Sequence, residues 1–312
     1  AFMTSDIMPE KVEEDLAWLE QMRAKGYDVV GNVLANRGWI EAGMRQLDVA
    51  CGMLASVRRI TACQDDAAVL ALIGDPAYCA AFAAEYAAKG QTNGANGLEG
   101  QIVIGVGEDP ALAKFMDRTL AEIAAEAGQG VVEAMLDLAV RSGLALQLRS
   151  PIIGSLDPKQ AARLFGHYAT VLGGSDGGAH TKSFGLGHVP TDMLIWLVRE
   201  SGLMTLEEIH FHLALKVARA LQIKDRGALL PGFWADLLIY DLDTLYFDMQ
   251  RYEIVHDMPG GDWRRKGRAG GYDLIMVNGE VTHRGDTPTG LTPGRLVRVC
   301  PDRSTSLAIA AE

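Results

Sequence analysis

The feature that most constrains this chain is an alternation of short apolar runs with helical stretches, repeated from its start to about residue 174. The stretch from Pro9 to about Gly26 reads as a helix. Ser5 or Asp6 offers a cap, acidic residues come early, Arg23 and Lys25 come late, and Gly26 ends it. The valine-bearing run YDVVGNVLA then reads as a buried strand. Helices follow in DDAAVLALIG and PAYCAAFAAEYAAKG, then a Gly/Asn loop, strand QIVIGV, and two helices that end near Gly143. Strand LALQLRS, helix DPKQAARLFGHY and strand TVLGG complete the series. Strands alternating with helices predict an α/β fold built on a parallel sheet.

Beyond Gly174 the spacing predicts a loop and three helices, the second with Thr205 as cap of its later part. The character changes at about Arg226. Pro231-Gly232 sets a turn, and Asp236, read as structural, leads into LLIY, a strand expected to be buried. Asn278-Gly279 marks a type I′ hairpin between two short strands, and TPTGLTPGRLVRV reads as a punctuated strand. Two units follow: residues 1–224, and a small β-rich domain at 225–312.

Charge and cysteine usage narrow the function. Lys and Arg total 29 against 40 Asp and Glu, a formal charge of −11, so the global electrostatic footprint of a nucleic-acid binder is missing. The basic cluster Arg264, Arg265, Lys266 and Arg268 lies among glycines and reads as a solvated loop. Four scattered cysteines suggest neither a zinc ribbon nor a disulfide scaffold. No apolar run approaches the roughly 18 residues needed to cross a bilayer. The expectation is a cytoplasmic chain with reduced thiols, a small-molecule substrate, and no nucleic-acid or membrane partner. Oligomeric state is not legible.

The most informative stretch is Thr170-Val171-Leu172-Gly173-Gly174-Ser175-Asp176-Gly177-Gly178-Ala179-His180. A β-branched strand runs into glycines, and an acid and an imidazole appear just beyond the strand end, where parallel α/β folds build their sites. A carboxylate there can hold a metal-bound water or move protons, although Ser-Asp-Gly is also an ordinary turn. The rival motif Gly105-Val106-Gly107 lacks the third glycine of a dinucleotide fingerprint, since Pro110 stands there. There is no phosphate-binding loop.

GSDGGAH resembles the last barrel-strand motif of amidohydrolases related to N-acyl-D-amino-acid deacylases. DRTLAEIAAEAG, AMLDLAVRSGL, IKDRGALLPGFWADLLIYDLDTL and MVNGEVTHRGDTPTGLTPGRLVR resemble the same family in the right order. The resemblance implies the later strands and helices of a partial (β/α)8 TIM barrel. A small β-domain follows, which in the family also uses the protein's N-terminus. It further implies hydrolysis of a linear amide, an N-acyl-D-amino acid, by water activated on a divalent metal, usually zinc. Asp176 would then be the proton shuttle and a weak candidate metal ligand. His180 is placed to orient substrate or to support Asp176, or simply to satisfy local backbone. Lys182 is the nearest cation for an acidic substrate, or a solvated loop lysine.

One departure from the family pattern stands out. The His-x-His pair expected on a first strand does not precede Asp176, and the sole His-x-His, His210-Phe211-His212, lies in a helical run. At that spacing the two rings point roughly 200° apart on a helix. His167, His188, His256 and His283 read as structural, with cleft lining the alternative for His188. The chain alone is therefore expected to be an incomplete, inactive fragment. Two alternatives stay open: a metal-free scaffold or binding module, and an amidohydrolase acting on cyclic amides or a deaminated base.

Overall fold

A computed structural model of the chain describes residues 2–3, 10–34, 37–48, 54–89, 97–153, 156–175, 177–178 and 180–298. Ser5, Asp6 and Asp176 lie outside these described residues. Among those described, the first 172 positions hold six strands: β1 (Phe2–Met3), β2 (Gly31–Leu34), β3 (Glu41–Ala42), β4 (Ile102–Val106), β5 (Leu146–Arg149) and β6 (Thr170–Leu172).

The predicted parallel pairing holds for β1, β2 and β6, where Phe2 faces Val33 and Gly31 faces Thr170. Helix α1 (Glu10–Ala24) is the crossover from β1 to β2, with acidic residues in its first turn and Arg23 in its last, and it buries Val12, Leu16 and Leu19. The sheet β3-β5-β4 departs from the prediction, because both of its pairings are antiparallel. The path after β4 explains this. The chain doubles back along β4, with Val103 N–H donating to Arg118 O and Leu120 N–H to Gln101 O, so it re-enters the helical layer at the start of that strand. Helices α5 (Leu120–Ala127) and α6 (Val131–Arg141) then deliver it to the far end, and Leu146 pairs with Val106.

The helices in this half follow local chemistry. Thr119 and Glu122 close a reciprocal capping box on α5, and Gly128 ends it in the left-handed region. Helices α3 (Asp66–Ile73) and α4 (Pro76–Lys89) occupy the predicted segments, and they are preceded by a helix the sequence reading did not include, α2 (Ala55–Thr61). Helix α7 (Pro158–Gly166) is capped by Asp157, and it buries Ala161, Leu164 and Phe165. The run after β6 begins as α8 (Val189–Met193) but widens to a π-helix over Leu194–Glu200. Thr205 caps α9 (Leu206–His210) with Glu208 in a second capping box. A π turn over Phe211–Leu215 then leads into α10 (Lys216–Ala220).

After residue 225 the structure is strand-rich. β7 (Leu237–Tyr240), β12 (Tyr272–Val277), β13 (Glu280–Arg284) and β14 (Thr287–Pro288) form an antiparallel sheet in the order β14-β13-β12-β7. Asn278 and Gly279 both take positive φ, 52° and 83°, as a type I′ turn requires. Asp236 accepts from Asn278 N–H at 2.9 Å and pairs with Arg226, so it fixes this turn. Two expectations fail here. LLIY is not buried: β7 is an edge strand, and Leu238 and Ile239 are 49% and 52% exposed. The tail is strand only at β14, because Pro293 has no N–H to donate and its carbonyl is taken by Asn278 Nδ2.

Two short ribbons complete this region. β9 (Glu253–Val255) pairs with β10 (Arg264–Lys266), and β8 (Tyr246–Phe247) pairs with β11 (Ala269–Gly270). Arg264–Lys266 of the basic cluster are thus a paired strand with Arg265 buried, whereas Arg268 lies outside it and is exposed as expected.

One buried ion pair fixes α8 to the loop after β2. Arg37 Nε donates to Asp192 Oδ1 at 2.9 Å, its Nη1 reaches Glu200, and its guanidinium lies over the Trp196 ring. Burial raises the Asp192 carboxyl above its usual range although Arg37 acts against it. Arg37→Met leaves a fully buried carboxylate unpaired, so urea unfolding should show a loss of about 3–5 kcal/mol. Arg37→Met combined with Asp192→Leu should lose clearly less; an equal loss would show that the pair's geometry is not what matters.

Candidate active site

The candidate site begins where β6 ends. Gly173 stands against Asn32, and a Cβ there would lie 1.3 Å from Asn32 Oδ1, so a larger residue would displace the Asn32 side chain. Ser175 Oγ accepts the Gly177 N–H at 3.2 Å, which ties Gly177 back to the end of the strand segment. Asp176 itself lies outside the described residues. His180 is exposed, sits in the left-handed region at φ 47°, and sets its ring edge-on to Phe184. Its carbonyl accepts from Ser183 and Phe184 N–H, so its backbone closes the turn.

The segment 181–185 is held from two directions. Arg265 N–H donates to Thr181 O at 2.7 Å and Arg265 Nε to Lys182 O at 2.9 Å. From the other side, Glu41 N–H donates to Ser183 O at 3.0 Å. Gly267 N–H reaches Gly185 O at 3.0 Å, and the two backbones approach so closely that a Cβ on Gly267 would fall 2.2 Å from that oxygen. Lys182 Nζ pairs with Asp262, donates to Trp263 O at 2.5 Å and lies over the Trp263 ring. In this structure its charge is engaged at the surface.

The two clamps meet in a buried pair. Glu41 is 1% exposed and Arg265 is 4% exposed. Glu41 Oε1 accepts from Trp39 Nε1 at 3.0 Å and from Tyr252 N–H at 2.8 Å, while Oε2 takes Arg265 Nη1 at 2.5 Å. Arg265 Nη2 reaches Gln147 Oε1 at 2.6 Å. Burial pulls the Arg265 guanidinium below its ordinary range, with Glu41 acting in the opposite direction. Beside this pair lies a stack of rings: Trp39 on Tyr252 at 4.5 Å and His188 on Phe247 at 3.6 Å, both within 11° of parallel.

A cavity of about 410 Å³ opens between the loop and the C-terminal strands. Gly177, His188, Thr191, Tyr272, His283 and Asp286 are in its lining, together with the strand Arg264–Lys266. His188 therefore lies where the sequence suggested. Its Nδ1 contacts Gly185 O at 3.2 Å, and burial brings its pKa down to about 4. The cavity joins His188 to Gly177, next to Asp176, whereas His180 and Lys182 are outside its lining. Sequence reasoning missed Glu41, Arg265 and His283. Arg265 carried a signal, an arginine amid glycines that allow close backbone approach; Glu41 carried none.

His210 and His212 do not converge. His210 Nε2 meets the Tyr240 hydroxyl at 2.6 Å, while His212 Nδ1 faces Lys216 Nζ at 3.2 Å. Lys216 is buried, donates to His167 O at 2.7 Å, and is brought down to about 8 by burial. His167 Nε2 contacts Glu20, and His256 faces Gly261 O from an exposed ribbon. Among the described residues, no group of three or more His, Cys, Asp or Glu side chains is placed to hold a metal ion. The described residues do not by themselves fit the metal centre that the resemblance implies.

No protein-family profile matches the chain. A curated protein does: N-acyl-D-glutamate deacylase of Alcaligenes xylosoxydans xylosoxydans is 30% identical over 199 residues, covering 62% of this chain. The similarity is to an N-acyl-D-amino-acid deacylase. The chain spans only 35% of that relative's length. Among solved structures, N-acyl-D-glutamate deacylase from Bordetella bronchiseptica, complexed with zinc and a phosphonate inhibitor, matches at 26% identity. The match covers 60% of this chain and 35% of that one, with a TM-score of 0.35. A D-aminoacylase structure matches at 18% identity over 92% of this chain and 46% of that one, with a TM-score of 0.44.

The buried histidines give a pH dependence. His188 and His212 both titrate near 4 when folded, against 6.5 when free, chiefly through burial, with Lys216 also acting on His212. Between those values the unfolded chain binds protons that the folded one refuses. Stability is thus full above about pH 6.5 and falls towards pH 4, by at most about 3 kcal/mol per histidine. Urea midpoints measured across this window should decline with acid, and His188→Phe should flatten the decline; an unchanged slope in that variant contradicts the assignment.

Proposed function

We propose that this chain is the later part of a hydrolase that cleaves a linear carbon–nitrogen amide bond, acting on an N-acyl-D-amino acid. The observation that carries the reading is the similarity to an N-acyl-D-glutamate deacylase, together with the Ser-Asp-Gly-Gly-Ala-His loop at the end of β6. The cavity beside that loop supports it, since it sets polar side chains and a buried imidazole next to Gly177.

In this reading Asp176 takes a proton from the attacking water and returns it to the departing nitrogen. His180 and Lys182 lie on the same loop and contact substrate only when the loop rearranges, because Lys182 is tied to Asp262 and Trp263 in this structure. The divalent metal, by resemblance zinc, takes its main ligands from chain outside the present sequence. Residues 1–224 are the barrel part and 225–312 the small β-domain. The enzyme is cytoplasmic and acts on a small molecule, with no nucleic-acid or membrane partner.

The test compares this chain with an upstream-extended protein, each with and without Asp176→Asn, for bound metal and for hydrolysis of N-acetyl-D-amino acids. Only the extended protein should carry metal and turn over substrate, and Asp176→Asn should lower its rate at least 100-fold. An extended protein that binds no metal and hydrolyses nothing favours a scaffold or binding role instead.

A further inference from the structure

The ribbon of β9 and β10 lies across the loop that follows β6, and its two ends are held very differently. The base is buried. Arg265 pairs with Glu41 and donates to the carbonyls of Thr181 and Lys182, Tyr252 is joined to Glu41 and Trp39, and Gly267 N–H reaches Gly185 O at 3.0 Å. The tip, residues 256–263, is closed by its own bonds. Met258 N–H donates to Asp262 O at 3.2 Å and Gly261 N–H to Met258 O at 3.1 Å, while Arg264 grips Asp257 through two bonds of 2.7 Å. Gly260 and Gly261 turn the chain at φ 77° and 76°. Among the described residues, hydrogen bonds and ion pairs join this tip to chain outside the ribbon only at Lys182. Its Nζ pairs with Asp262, donates to Trp263 O at 2.5 Å and lies 4.3 Å from the centre of the Trp263 ring.

Exposed ion pairs contribute little stability and weaken further with salt. The Lys182 and Asp262 side chains are 32% and 58% exposed, so solutes reach both. A weak contact, standing alone at the end of a ribbon whose base is locked, is one that can be released without unfolding anything. We propose that it is an autoinhibitory latch: Asp262 occupies Lys182 in place of a ligand carboxylate, and a ligand that takes Lys182 frees the tip while Arg265 keeps the base in place. The chemistry of lysine allows the exchange. Its ammonium is a point charge with rotatable donors, so an internal and an external carboxylate can replace one another on it without a change of geometry elsewhere. The loop backbone stays put, because Arg265 Nε holds Lys182 O and Glu41 N–H holds Ser183 O. Only the Lys182 side chain and the tip change partners. The identity of the ligand rests on the hydrolase reading above, in which every N-acyl amino acid carries a carboxylate; the latch itself does not.

The probe is glutarate, which has carboxylates and no amide bond to cleave, titrated calorimetrically into the full chain with its neutral diamide as control at equal ionic strength. Asp262→Asn removes the competing charge and keeps the oxygen that accepts the Trp263 N–H, so its turn is expected to persist. This variant should bind glutarate at least about threefold more tightly than the wild type, since the binding-competent state no longer has to be released first. Lys182→Met should bind glutarate at least about tenfold more weakly, and the diamide should bind to none of the three. Backbone order parameters of residues 257–262, from nitrogen relaxation, should fall from about 0.85 to below about 0.7 in Asp262→Asn and in the glutarate-bound wild type, with residues 265–267 unchanged. Equal glutarate affinity in the wild type and Asp262→Asn overturns the proposal. So does affinity that survives in Lys182→Met, no glutarate binding at all, or a tip equally ordered in every state. The hydrolase reading survives each of these outcomes, because it is judged by turnover in the upstream-extended protein.

Discussion

The Glu41–Arg265 pair is the interaction on which the rest of the site depends. Two charges taken out of water cost several kcal/mol each unless every lone pair and N–H finds a partner. Here the accounting is nearly complete. Glu41 accepts from Trp39, Tyr252 and Arg265, and Arg265 also donates to Gln147 and to the carbonyls of Thr181 and Lys182. The pair joins three separate parts of the chain: β3 and β5 in one sheet, the loop after β6, and the C-terminal ribbon. The cavity exists because that ribbon is held against the loop. The glycines at 185 and 267 allow the approach, and Arg265 sets its register.

The ring stack belongs to the same arrangement. Trp39 and Tyr252 are bound to Glu41 and to each other, with Tyr252 Oη donating to Trp39 O at 2.9 Å. Tyr252 lies next to β9, so the wall that carries His188 and Phe247 is positioned from both the early sheet and the late strands. This makes the C-terminal region part of the site and not a mere appendage. The outer β7 edge, with Leu238 and Ile239 half exposed, serves no such purpose in this chain. An edge strand of that kind is a surface that proteins usually cover.

Much of the fold was legible because local chemistry decided it. Thr205 announces its helix as a cap, Asn278-Gly279 announces its hairpin, and the valine-bearing runs before Leu34 and Leu172 announce parallel strands, whereas the Thr119 capping box, inside a stretch read as helical from Asp109, was not read. The antiparallel entry of β5 was hidden. It depends on the doubling back of residues 107–119 along β4, a long-range pairing with no periodic signature. The exposure of β7 was hidden for a related reason, since burial depends on what packs against a strand and not on its own residues. At the site, the loop around 170–188 was visible as glycines, an acid and histidines. The partners that shape it, Glu41 and Arg265, lie 224 positions apart, and no local pattern links two charges so distant.

The most direct test of this account is a double-mutant cycle on Glu41→Gln and Arg265→Met, read by urea unfolding. If the pair organises the site as described, each single change leaves its partner buried and unpaired. The two should then be strongly non-additive, with a coupling energy of about 2 kcal/mol or more. Additivity to within about 0.5 kcal/mol would mean that the two residues do not act together, and the central claim would fail.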